Sequence, residues 1–340
     1  MTKKPPTVDI AIVTALPIER TAVLQLLDNY EQIQENEKTY YRGQVAIDAK
    51  RYYEVVVALM LEMGNVEAGI ITTNIIERWH PHYVIMMGIA AGRKGKVNLG
   101  DVVVAEFCHY YEFVKKTEEG EQRRTRQLPS SSLLLDRAKN FKASGWHESI
   151  QVALPNSVQG VSYRPQVHFG AIGSGEQVIA DEKTLAILIQ ECPELMAVAM
   201  EGAGVARAVH HASLDFIEVR GICDFADPNK NDDWQVYAAS TAAAFLMAWL
   251  RSGAVPYTEE ADNRPPPACP YPGMRPFSEV ESHYFFGRQP EIQTLIEQHL
   301  RLYPFVTVIG PSGSGKSSLV FAGLLPALKQ SGLFVGKIKT

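Results

Sequence analysis

The sequence predicts an α/β fold, a mainly parallel or mixed twisted sheet flanked by helices, followed by the opening of a second, P-loop α/β unit. Three observations carry this. From Val8 to Ser252, short β-branched runs alternate with amphipathic helical ones, the pattern of a sheet covered by helices. Residues 254–277, AVPYTEEADNRPPPACPYPGMRPF, then hold seven prolines, too many for a packed element, and read as a linker. Beyond it, Gly310, Gly315, Lys316 and Ser317 complete the spacing G-x-x-x-x-G-K-S after the apolar run FVTVI and before the helix-like SSLVFAGLLPAL. The expected domains are therefore 1–253 and 278–340, with the linker at 254–277 between them.

Each element follows from its local pattern. VDIAIVT (8–14) is an apolar run of strand length, and IERTAVLQLLDNY (18–30) places apolar residues at helical spacing. QVAIDA and YEVVVALM read as a hairpin-like pair, NVEAGIITTNIIERW (65–79) as a helix, and YVIMMGIAAG (83–92) as a strand running into a small-residue turn. GDVVVAEFC is a further strand, and the charged segment from Lys115 to Arg126 is expected to be a loop. A helix over SSLLLDRAKNF, a strand over 166–175, a helix over 181–191, a strand over 195–200, a helix over GAGVARAVHHA, a strand over 215–223 and a helix over 234–252 complete the unit. After the linker, the order helix, strand, phosphate loop, helix opens the second unit.

The 340 residues are 46% hydrophobic, ample for a packed core, and a net charge of -5 gives no basic field for nucleic acid or an anionic membrane. A small molecule is the expected partner. Cys108, Cys192, Cys223 and Cys269 lack C-x-x-C spacing, so neither a zinc site nor a disulfide framework is written, and a reducing cytoplasm fits. The N-terminal apolar run carries Asp9 and soon meets Glu19, unlike a secretory signal. No uncharged apolar window reaches the roughly 18 residues that a membrane span needs. The histidines, including His80, His82, His210 and His211, lack ligand spacing, and no metal is expected in the first unit.

Ligands of open α/β sheets gather at the carboxyl ends of strands. Glu19, Glu201 and Asp224 each follow a predicted strand, so three carboxylates are expected to converge on one crevice. Singly, each has a plain structural reading: an acid in a first helical turn, a helix cap, a turn residue. Jointly they fit a known order. IAIVTALPIERTAV, VIMMGIAAG, LGDVVVA, VAMEGAGVA and VRGICDFAD resemble, in sequence order, segments of the purine nucleoside phosphorylase and methylthioadenosine/adenosylhomocysteine nucleosidase superfamily, over about Val8 to Ser252. The resemblance implies a phosphorylase-like mixed twisted sheet and cleavage of the N-ribosidic bond of a purine nucleoside or nucleotide. It places the hydrolytic Glu on Glu19, the ribose-binding Met-Glu pair on Met200 and Glu201, and the Arg-x-x-x-Asp pair on Arg220 and Asp224. It also implies that main-chain groups around Val178 and Ile179 line the purine pocket. Ile89 and Ala90 fall in the turn facing nucleophile and sugar; the nucleosidases usually carry a Ser there, and Ile89 offers no hydroxyl.

The chemistry explains these residue types. Breaking the bond builds positive charge on the sugar and negative charge on the purine, so an acid must meet N7, the role implied for Asp224. A free Asp titrates near ~4, so this role needs burial or a hydrogen-bonded base. Glu201 would hold the ribose hydroxyls with Met200 against the sugar, Glu19 would position and deprotonate water, and Arg220 would orient the carboxylates or form a structural ion pair. Hexameric phosphorylases of the superfamily carry a phosphate-holding Gly-Asp-Pro-x-Arg type loop after the first strand; here Ala15, Leu16, Pro17, Ile18 and Glu19 stand there. A carboxylate repels phosphate and suits water, so a nucleosidase is favoured, with a phosphorylase and a non-catalytic nucleoside sensor as alternatives. No cofactor is implied for this unit, and a homo-oligomer is.

Two basic groups remain. Arg93, Lys94 and Lys96, with Arg123, Arg124 and Arg126, could reach substrate phosphates, in which case the substrate is a nucleotide such as AMP or ATP; they also have the composition of a solvated charge run. In the second unit Gly310, Gly313, Gly315, Lys316, Ser317 and Ser318 form the phosphate loop, where Lys316 would grip phosphates and Ser317 would ligate Mg²⁺ of a bound ATP. CPYPGMRPFSEVESHYFFGRQPEI resembles the entry of STAND-class signalling ATPases, which in bacteria join effector domains, nucleoside-phosphorylase-like ones among them, to an NTPase, many of them in defence against phage. No metal-holding Asp on a later strand follows the loop, so the chain by itself is expected not to hydrolyse ATP and to be a fragment or a short natural version.

Overall fold

Alternate residues of the central strands face opposite ways, and in this chain both faces are apolar, which forces a sheet covered on both sides. In the computed structural model the described residues are 7–35, 38–117, 120–142, 145–155, 163–227, 232–256, 275–300, 306–311 and 313–330. They fall in two compact units, Met1–Pro267 and Ala268–Thr340.

The first unit is built on a ten-stranded mixed sheet. β1 (Ile10–Thr14) lies between β4 (Tyr52–Leu59) and β5 (Tyr83–Gly92), and β12 (Asp215–Asp224) lies on the far side of β5, all four parallel. β3 (Lys38–Ala46) and β2 (Asn29–Glu35) extend one edge antiparallel. On the other side β6 (Val102–Tyr110) runs antiparallel to β12, then β10 (Val167–Ser174) and β11 (Leu195–Ala199) follow parallel to β6. β11 also pairs antiparallel with the end of β5, Ala197 with Gly92 and Val198 with Ala91, so β5, β12, β6, β10 and β11 close on themselves. That closure brings the end of β11 to the ends of β5 and β12.

Helices cover both faces. Ile10, Ile12, Val55, Val57, Ile85, Met87, Ile217 and Val219 pack under α1 (Pro17–Leu24) and α6 (Gln235–Arg251); Ala11, Val13, Val56, Ala58, Val84, Met86 and Phe216 pack under α2 (Asn65–Trp79) and α5 (Gly202–His211). The alternation in each strand is what assigns its residues to the two cores. α3 (Ser132–Lys139) and α4 (Glu182–Glu191) complete the unit.

Several expectations change. The helix expected over 18–30 ends at Leu24, and Asn29 already begins β2, a polar edge strand half open to solvent whose apolar signal is weak. The segment expected as a charged loop forms the hairpin strands β7 (Val114–Thr117) and β8 (Gly120–Arg123), with Arg126 starting β9 (Arg126–Pro129) on β6. The small-residue turn of GIAAG is instead the continuation of β5, and Asp224 is the last residue of β12 rather than the first beyond it. Proline-rich residues 257–274 of the expected linker lie outside the described residues.

In the second unit, Gln289–Thr294 and Leu295–Leu300 form one helical stretch, and Lys316–Ser318, Leu319–Leu324 and Leu325–Gln330 form another. The Ser318 hydroxyl accepts the Phe277 N–H at 3.1 Å. Residues 306–309, expected as a strand, join no ladder among the described residues, and Ile309 is 87% exposed: an apolar run without a neighbouring strand has nothing to pair with. Among the described residues no helix is long and apolar enough to cross a membrane.

Candidate active site

Glu19 sits in the first turn of α1, where Pro17 fixes the helix start. Its carboxylate is 1% exposed and saturated by main chain: Oε2 accepts the N–H groups of Ala15 (2.8 Å) and Leu16 (2.9 Å), and Oε1 accepts that of Ile89 (2.8 Å). Burial pushes its pKa up to about 7, against the pull of Arg220 and with a push from the charge of Glu201. Ile89 can reach it because residue 88 is glycine. A Cβ on Gly88 would lie 2.5 Å from Glu19 Oε1 and 2.6 Å from Arg220 Nη1.

Arg220, on β12 opposite Gly88, is 1% exposed and spends each nitrogen on a different acceptor: Nε donates to Glu218 Oε1 (2.8 Å), Nη2 to Glu201 Oε2 (2.9 Å) and Nη1 to the Ile89 carbonyl (3.2 Å). Burial acts against its charge, but Glu218, Glu201 and Glu19 outweigh it and keep the guanidinium firmly protonated. Glu201 stands just before α5, whose first residue is Gly202, and follows Met200 at the end of β11. Asp224 ends β12 one residue beyond a register irregularity, the kind of bulge that re-aims a side chain; its Oδ1 accepts the Ala226 N–H at 2.8 Å, and the Cys223 thiol donates to Oδ2 at 3.2 Å.

These groups line one cavity of about 260 Å³. Glu19, Glu201, Arg220 and Asp224 supply its polar wall, and Ile89, Ala90, Val178, Ile179 and Met200 its apolar one. Arg93, Lys94, Arg123, Arg124 and Arg126 are not part of this lining. Arg93 is tied to the carbonyls of Pro193 (2.7 Å) and Leu195 (3.4 Å), Lys94 is exposed, and Arg126 stacks over Phe113 with its guanidinium 5.0 Å from the ring centroid. Among the described residues, the basic ones that follow β5 and span the hairpin do not line the crevice.

The cavity also takes in residues that sequence reasoning missed. Tyr111, Gln177, Met63 and Cys223 line it, and Glu218 grips Arg220 from behind. An acid within the β-branched run FIEVRGIC, two positions before Arg220 and so on the same face of the strand, was the available signal for Glu218. Tyr111 and Gln177 carried none, because only the closure of the five strands brings them to the crevice.

Residues 9–251 match the Phosphorylase superfamily. The chain belongs to that superfamily. Residues 270–338 separately match Novel STAND NTPase 1. A 266-residue alignment at 27% identity relates the chain to the ATP nucleosidase Cap17 of Escherichia coli (strain KTE188), covering 73% of this chain and 52% of that protein. The chain thus spans about half the length of this relative. It is also 27% identical over 225 residues to the 5'-methylthioadenosine/S-adenosylhomocysteine nucleosidase of Desulfotalea psychrophila (strain LSv54 / DSM 12343), covering 66% of this chain and 87% of that one. Among solved structures, the Neisseria meningitidis 5'-methylthioadenosine/S-adenosylhomocysteine nucleosidase has a TM-score of 0.58 at 23% identity, covering 72% of this chain and 99% of that one. The futalosine hydrolase of Helicobacter pylori has a TM-score of 0.56 at 22% identity, covering 72% and 97%. These likenesses establish the mixed α/β phosphorylase superfamily fold of the first unit. Within that fold the cavity lies where strands β5, β11 and β12 end together and the loop after β1 meets them.

Proposed function

We propose that the first unit is an N-glycosyl hydrolase that cleaves an adenine nucleoside or nucleotide with water as the nucleophile. The observation that carries this reading is the binding of Glu19 by the main chain. The N–H groups of Ala15, Leu16 and Ile89, donors well suited to an anion, are taken by the chain's own carboxylate. A phosphate placed there would meet both occupied donors and a carboxylate partly ionised at neutral pH. Water meets a base.

In this reading the purine lies between Val178, Ile179 and the Asp224 end of β12, and the ribose lies over Met200 and Glu201. Glu201 accepts the 2′ and 3′ hydroxyls, its carboxylate already fixed by Arg220. The C1′–N9 bond breaks with both electrons going to the base, Asp224 gives its proton to N7, and the water oxygen bonds to C1′ while Glu19 takes the released proton. Free adenine and a sugar with a new anomeric hydroxyl are the products.

The relatives named as nucleosidases support this reading, and the one named ATP nucleosidase supports extending the substrate class to nucleotides. The match of residues 270–338 to a STAND NTPase supports a role as the effector unit of a STAND-type protein; in this reading that protein signals in bacterial defence against phage, in the cytoplasm and as a homo-oligomer. In this reading the loop takes an ATP phosphate chain with Mg²⁺, supported by Gly313 and Gly315 with φ of 79° and 81° and by Lys316 Nζ, which arches over the loop to the Gly310 and Pro311 carbonyls at 2.8 and 2.7 Å. There Lys316 would bind phosphate oxygens, Ser317 would ligate the ion, and the ion would neutralise phosphate charge.

The test is to incubate the purified chain with adenosine, methylthioadenosine, AMP, ATP and NAD and to identify released bases by mass. Adenine from at least one substrate is expected, and its loss in the Asp224→Asn variant. No release from any of them, by this chain or by a longer assembled form, overturns the enzymatic reading and favours a nucleoside-binding sensor.

A further inference from the structure

Glu218 is a glutamate inside the central sheet. It is fully buried on β12, and its Oε2 has no hydrogen-bond partner among the described residues. The side chain packs so tightly against the start of α5 that a Cβ on Gly202 would lie 2.3 Å from that oxygen. Burying a carboxylate is costly unless it is paired and hydrogen-bonded, and here burial pushes the pKa above the usual range. Charge balance alone does not call for it, since Arg220 already has a buried counter-ion in Glu201 and a further carboxylate in Glu19 nearby.

What Glu218 supplies is geometry. A guanidinium is a flat fork, and its plane is fixed only when donors on separate edges are all held. Nη2 and Nη1 of Arg220 hold Glu201 and the Ile89 carbonyl, the same residue whose N–H holds Glu19. Nε is the remaining edge, and Glu218 Oε1 is its acceptor at 2.8 Å. Because Glu218 and Arg220 are two residues apart on one strand, their spacing is set by the backbone. We propose that Glu218 is a positioning residue of the active site: it fixes the Arg220 guanidinium from behind and, through it, the orientation of Glu201 and of the carbonyl of Ile89, the residue whose N–H holds Glu19. This rests on the hydrolase reading for its kinetic consequence, while its geometric content stands independently.

Three variants test it. Glu218→Leu removes the acceptor, Glu218→Asp keeps the charge but is one methylene too short, and Glu218→Gln keeps an acceptor oxygen at full length. The expected result is a kcat at least tenfold lower for Leu and Asp with KM within about twofold of the parent, and recovery to within about threefold for Gln. Crystal structures should show the Arg220 to Glu201 bond kept in Gln and lost in Leu and Asp, with thermal melting confirming that each variant is folded. A folded Leu or Asp variant that keeps both that bond and the parental kcat overturns the proposal. Should Leu fail to fold, the Asp variant decides in the same way. If the parent chain itself releases no base, the hydrolase reading fails, and the crystal structures still decide whether Glu218 orients Arg220.

Discussion

Glu19 carries the clearest single-residue consequences. Its carboxyl titrates at about 7 in the folded chain against 4.5 as an ordinary glutamate, so between these values the folded state holds more protons than the unfolded state. Stability is therefore greatest below pH 4.5 as far as this group is concerned and is lost as pH rises through 7, by about 3 kcal/mol in all. Glu19→Gln removes the titration. Relative to the parent, the variant is expected to be more stable at pH 8 than at pH 5 by an amount of that order, read from denaturant unfolding at both pH values. A difference independent of pH would show that Glu19 does not titrate in this range. Base release, which needs ionised Glu19, should fall off below pH 7 in the parent. Asp224→Asn should lower kcat by roughly 10²- to 10⁴-fold with thermal stability little changed, since an amide cannot hand a proton to N7. Glu19, Glu201, Arg220 and Asp224 were legible because each sits in a short local motif. Glu218 was overlooked although its partner Arg220 lies two residues along the same strand, and Tyr111 was not legible because it reaches the cavity only through the pairing of distant strands.

At the scale of elements, two close approaches set the site. β5 passes Glu19 and Arg220 with only a hydrogen at residue 88, so Gly88→Ala drives a methyl into both groups. The expected outcome is a kcat lower by at least tenfold in a chain that still melts cooperatively; unchanged kcat would mean that the Glu19 and Arg220 arrangement tolerates displacement. Gly221 meets the α6 backbone instead: a Cβ there would lie 1.9 Å from the Ala238 carbonyl oxygen. Backbone cannot step aside as a side-chain tip does, so Gly221→Ala should destabilise by about 3 kcal/mol or more in denaturant melts. The strands whose sequences are apolar, β1, β4, β5, β6, β10, β11 and β12, were readable from pattern alone. β2, β7, β8 and β9 were not, since polar edge and hairpin strands owe their extended form to pairing with a neighbour rather than to a buried face. The GIAAG segment misled for a related reason: its small residues mark close passage of a continuing strand, not a turn.

At the scale of the whole chain, the described residues fall in two units, and the cavity is lined only by residues of the first. Lys316→Ala, which removes the cation of the phosphate loop, should leave base release by this chain within about twofold of the parent. A larger loss would mean that the loop governs the first unit even in this chain. The change of composition at the proline-rich segment was visible in the sequence, whereas the closure of five strands that builds the cavity was not, because it depends on a two-residue pairing between β5 and β11. The central claim is that water, not phosphate, attacks C1′ beside Glu19. The direct measurement is base release from the best substrate in phosphate-free buffer and across a series of added phosphate, with the sugar product identified by mass. Full activity without phosphate and a free anomeric hydroxyl on the sugar are expected. Release that requires phosphate and yields a sugar 1-phosphate would contradict the claim.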